Sequence, residues 1–87
     1  MGYLIGYIRI TYDELAAKLG YPARSMDEKT QVEWTLKIPG KDYNIYIYDW
    51  KMEKVPFGEY DWHIGGNDPS DLEIIQDIFK DKVVITT

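Results

Sequence analysis

The stretch "TQVEWTLKI", Thr30 to Ile38, alternates without a break, and that period of two constrains this chain more than any other feature in it. Val32, Trp34, Leu36 and Ile38 fall on one side of an extended backbone, and Gln31, Glu33, Thr35 and Lys37 fall on the other. A sheet with one dry face and one wet face satisfies such a run. "PGKD" comes next, with Pro39 and Gly40 suited to a reversal, and then "YNIYIYDW". Residues 32–38 and 43–50 are therefore expected to pair as an antiparallel hairpin. Ile45 and Ile47 join Trp34 and Leu36 on the dry side, which leaves Tyr46, Tyr48 and Trp50 pointing the other way. A solvated sheet face does not ordinarily carry three successive large rings. Something is expected to cover them: another part of the chain, a second subunit or a ligand.

The rest of the chain supplies partners for that hairpin. Residues 3–10 are rich in β-branched and aromatic side chains and read as a strand. "TYDELAAKLG" reads as a helix of about two turns: Thr11 and Glu14 form a capping box, Gly20 stops the helix and Pro22 follows. Leu15 and Leu19 are its expected core residues. "ARSMDEK" reads as a polar loop and "MEKVPFGE" as another. "YDWHI" is expected as a short strand antiparallel to the end of the hairpin. "GGNDPSDLEIIQDIFK" reads as a second helix with Asp68 as N-cap, Pro69 in the first position and Leu72, Ile75, Ile78 and Phe79 as its apolar stripe. "KVVITT" is either a last strand or a tail. The expected fold is α+β: an antiparallel sheet of about four strands with two helices, in the order β-α-β-β-β-α with a possible terminal β.

At 87 residues the chain is expected to form a single domain, 1–87, with one modest core. A second copy would help so small a core. There is no cysteine, so no disulfide or thiolate metal site is possible. The net charge of −5 argues against direct nucleic-acid binding, which needs a cationic footprint. No apolar run reaches the ~20 residues of a membrane span, and the first residues lack the basic region of a signal peptide. The expected location is the cytoplasm, with no membrane partner.

Tyr-Asp-Trp occurs twice, before Lys51 and before His63. Tyr, Trp, Lys and Arg together suit a base or ribose with a phosphate, because rings stack and cations neutralise. They equally suit an aromatic belt with lysines lying along it. His63 is the only histidine and is available as an acid or base, with Asp61 or Asp49 to orient it. No nucleophile motif accompanies it, so a structural or surface histidine is the plainer reading. One histidine with scattered carboxylates gives no metal-ligand spacing, and no cofactor motif is present. The glycines of "IGGND" before a helix suit either a phosphate cradle or a capping turn, and Asp68 and Asp71 would oppose an anion there.

"TYDELAAKLG", "KTQVEWTLKI", "IYDWK" and "YDWHIGG" together resemble a family of short, mostly uncharacterised bacteriophage proteins. The resemblance runs from about Thr11 to Gly66. It implies an accessory phage product acting in the host cell and brings no catalytic residues with it. Proteins of that kind include counter-defence factors that sequester nucleotide-like immune signals and others that occupy a host defence protein or nuclease. The expectation that follows is a non-enzymatic homo-oligomer binding a nucleotide-like small molecule. Its ligand-binding residues are Tyr46, Tyr48, Trp50, Lys51, Tyr60, Trp62, His63, Asn67 and Arg24. Trp50 and Trp62 would stack, Lys51 and Arg24 would meet phosphate, and His63 or Asn67 would donate hydrogen bonds. The alternatives are an inhibitor of a host protein through an acidic or aromatic surface, and a signal-degrading enzyme with His63 as base.

Overall fold

A computed structural model of the protein describes residues 3–25 and 28–87. The elements are β1 (Tyr3–Ile10), α1 (Tyr12–Leu19), β2 (Ala23–Arg24), β3 (Val32–Lys37), β4 (Asn44–Tyr48), β5 (Tyr60–Gly66), α2 (Leu72–Ile78) and β6 (Val83–Thr86). A turn of 3-10 helix, Pro69–Asp71, leads into α2. The strands form one antiparallel sheet in the order β2-β3-β4-β5-β1-β6. The α+β architecture with two helices is as the sequence implies. The sheet is larger than the four strands expected, with six among the described residues.

The hairpin forms as the alternation requires. Trp34 lies opposite Ile47 and Leu36 opposite Ile45. These dry-side residues meet Ile8, Ile10, Trp62 and Ile64 of the neighbouring strands, and Leu15, Leu72, Ile75 and Phe79 of the helical layer, in one buried cluster. Both helices therefore cover the same face. α1 is only eight residues long, and its termini are held locally. The Thr11 hydroxyl accepts from the Glu14 amide at 3.2 Å, and the Glu14 carboxylate reaches back to the Thr11 amide at 3.4 Å. At the other end the Trp34 indole donates to the Gly20 carbonyl at 2.7 Å, satisfying a group the helix leaves open.

A bulge in β1 sets which of its side chains face the helices. Leu4 pairs with Gly65 and Gly6 with Ile64, so Ile5 is the extra residue. Ile5 is buried in the core, while Tyr7 and Arg9 point to the far side. A Cβ on Gly6 would run into the Ile85 carbonyl and both Leu72 methyls. Glycine there lets β6 and α2 close on β1.

Three local expectations change. Part of the polar loop read at residues 23–29 pairs with β3, Ala23 opposite Glu33 and Arg24 opposite Val32; residues 26 and 27 of that loop lie outside the described residues. Asp49 and Trp50 leave the sheet, because the Asp49 carboxylate turns to bind the Gln31 and Val32 amides at 2.8 and 3.1 Å. Gly65 and Gly66 lie inside β5, opposite Leu4 and Tyr3, and not in a phosphate-cradling turn. The 3-10 turn after them is capped by Asp68, which accepts from the Ser70 amide. No helix among the described residues is long and apolar enough to cross a membrane.

Candidate functional site

The register lines up one row of side chains across the whole sheet. Ala23 lies opposite Glu33, Glu33 opposite Tyr48, Tyr48 opposite His63, His63 opposite Tyr7, and Tyr7 opposite Ile85. Directly opposed residues of antiparallel strands project to the same side. The chain neighbours Trp34, Ile47, Ile64 and Ile8 all enter the core, so this row occupies the face that the two helices leave open.

His63 is the centre of the row and is ringed by aromatics. The Tyr7 ring meets it edge-on at 5.0 Å, Tyr48 lies at 5.5 Å, Trp50 at 6.2 Å and Tyr60 at 6.5 Å. Tyr48 is buried, yet it stands apart from the hydrophobic cluster under the helices; the rings of His63 and Trp50 lie beside it at 5.5 and 6.3 Å. Tyr60 lies opposite Ile10, so it leaves β5 on the helix side and packs against the core, coming near His63 where β4 has ended. Its ring touches Trp62 edge-on at 5.2 Å, and its hydroxyl accepts from the Trp50 amide at 3.0 Å.

Trp50 is held by the segment around residue 30. The Asp49 contacts fix its N-terminal side. On the other side the Lys51 amide donates to the Lys29 carbonyl at 2.6 Å, and the Gln31 side chain donates to the Met52 carbonyl at 3.0 Å. Lys51 adopts a φ of 55°, a left-handed conformation uncommon outside glycine. The Lys29 ammonium lies 5.6 Å from the Trp50 ring centroid, within cation–π range.

The electrostatics keep this cluster neutral. His63 Nδ1 is cut off from solvent and has no hydrogen-bond partner among the described residues. Burial pushes the imidazole below the usual histidine range, and Asp49 and Asp61 pull against it without winning. Burial likewise pushes the Tyr48 and Tyr60 phenols up. Neither carboxylate expected to orient His63 does so. Asp49 is spent on backbone amides, and Asp61 pairs with Arg9 at 3.2 Å. What remains is a patch of uncharged rings with phenol and imidazole groups, suited to stacking and hydrogen bonding.

Of the expected site residues, the fold brings Tyr48, Trp50, Tyr60 and His63 together. Tyr46 shares their face one row along, between Thr35 and Gly65. Lys51 is exposed next to Trp50. Three residues lie elsewhere. Trp62 is fully buried on the opposite face, its indole donating to the Ile10 carbonyl at 3.1 Å, and is a core residue. Arg24 lies opposite Val32, on the side of the sheet that faces the helices and three strands from β5, roughly 14 Å away. Asn67 follows the far end of β5, roughly 13 Å along the strand from His63. Tyr7 and Lys29 take part without having been singled out. The even spacing of Ile8 and Ile10 already turns Tyr7 outward, but nothing local says that β1 will lie beside β5. Lys29 sits in a stretch with no periodicity at all.

Among the described residues no group of three or more histidine, cysteine or carboxylate side chains converges to hold a metal ion. Comparison with protein-family models, with curated proteins and with solved structures returns no match.

Proposed function

We propose that this protein is a non-enzymatic binder that captures a nucleotide-like small molecule on the open face of its sheet. The row Tyr48–His63–Tyr7, flanked by Trp50, carries the reading. It sets rings and hydrogen-bonding groups side by side on a face no described helix covers. The half-buried rings of Tyr7 and Trp50 offer sequence-tolerant stacking to a base, at about 1–3 kcal/mol each. Lys29 beside Trp50 supplies a cation for a phosphate. Among the described residues no carboxylate is bonded to the imidazole to orient it, which favours binding over turnover. In a phage setting, such capture would remove a host immune signal from the cytoplasm of the infected cell. A flat face encloses a ligand poorly, so a second copy is proposed to close the site as a homo-oligomer.

Calorimetric titration with cyclic dinucleotides and cyclic ADP-ribose isomers tests this. The expected outcome is heat with at least one of them, lost in Trp50→Ala. A purified protein that shows no heat and no melting shift with any of them, but co-purifies with a host protein, would replace capture by inhibition of that partner.

A further inference from the structure

We propose that His63 couples the docking of an anionic group on this face to the uptake of a proton. The inference rests on the binding reading above and adds how the site is charged when filled. Nδ1 is sealed from water and has no acceptor among the described residues. A second N–H on that ring would be left unsatisfied in the empty protein, so the empty site holds a neutral imidazole.

The groups around it come from several elements. Tyr7 faces it from β1, with Arg9 one place along and held by Asp61 and Glu59. Tyr48 faces it from β4, with Asp49 next in the chain and Glu33 opposite Tyr48 on β3. Trp50 follows with Lys29 against it, and Tyr60 and Asp61 belong to β5 itself. Glu33, Asp49, Glu59 and Asp61 outnumber Arg9, Lys29 and the exposed Lys51 next to Trp50, so negative charge is in surplus. An anion meets repulsion there unless a positive charge arrives with it. The phosphodiester of a nucleotide-like ligand brings a negative charge to the face beside the ring, and that charge, without any contact at the sealed Nδ1, favours the protonated imidazole. The proton comes from solvent and stays on the ring while the ligand is bound. No bond is made or broken in the ligand.

Calorimetry with the same cyclic dinucleotides, in buffers of different ionisation enthalpy, reads the coupling directly. Their phosphodiesters stay ionised from about pH 5.5 to 8, so histidine is the natural source of any proton change. The expected result is net proton uptake near neutral pH and affinity that falls by up to ~10-fold per pH unit as pH rises. In His63→Gln both the uptake and the pH slope should vanish. NMR of the His63 ring in the unaltered protein gives a second readout: protonation in a lower pH range when free and in a higher one with ligand. Heat that does not depend on the buffer overturns the inference and leaves the binding reading standing. Absence of heat at every pH overturns both.

Discussion

Asp49 is completely buried, and one of its two oxygens has no partner among the described residues. Its other oxygen accepts from the Gln31 and Val32 amides. Those charge-assisted bonds join the start of β3 to the end of β4 and aim Trp50 at His63. Asp49→Ala would strand two amides, each costing about 1–3 kcal/mol. The expected loss is about 3 kcal/mol, read as a lower urea midpoint. Asp49→Asn keeps an acceptor and should lose less. The same residue explains why the repeated Tyr-Asp-Trp could not be read from sequence. In the first copy Tyr48 faces outward and Asp49 is buried. In the second the facing is reversed: Asp61 is exposed and Trp62 is fully buried. Three identical letters occupy opposite faces because the first copy runs off the end of β4 and the second opens β5. Spacing alone does not show where a strand stops.

At the scale of elements, legibility follows how local the causes are. The capping box of α1, the hairpin of β3 and β4 and the inward Leu72 and Ile75 of α2 all depend on neighbours in sequence, and each is where the pattern puts it. β2 has two residues and exists only because β3 offers it a ladder. The sequence leaves β6 open between strand and tail for the same reason: its partner, β1, lies more than seventy residues earlier. Gly6 gives a test of that distant contact. Gly6→Ala puts a methyl against the Ile85 backbone and the Leu72 side chain, where β6 and α2 close on β1. Overpacking of this kind costs roughly 1–3 kcal/mol. Hydrogen exchange should show protection lost first in β6 and α2, with the β3–β4 hairpin retained.

For the molecule as a whole, the radius of gyration is 11.9 Å, the value of about 12 Å expected for a compact chain of this length. One protomer therefore completes its own core, and any assembly through the open face adds to a fold that already stands. Sedimentation should show a species heavier than the 10.2 kDa protomer. Ile85, half-exposed at the outer end of the row, is the place to break it. Ile85→Asp should return the mass to that of one chain with little change in melting temperature, whereas a core substitution would lower both. The strand order has a consequence for synthesis. β1 lies between β5 and β6, so a growing chain makes its first strand some fifty residues before either neighbour exists. At about 5–20 residues per second that strand waits for seconds on the ribosome with Ile5, Ile8 and Ile10 uncovered. The β3–β4 hairpin, complete by then, is the natural seed on which β5 adds, and β5 in turn captures the early strand.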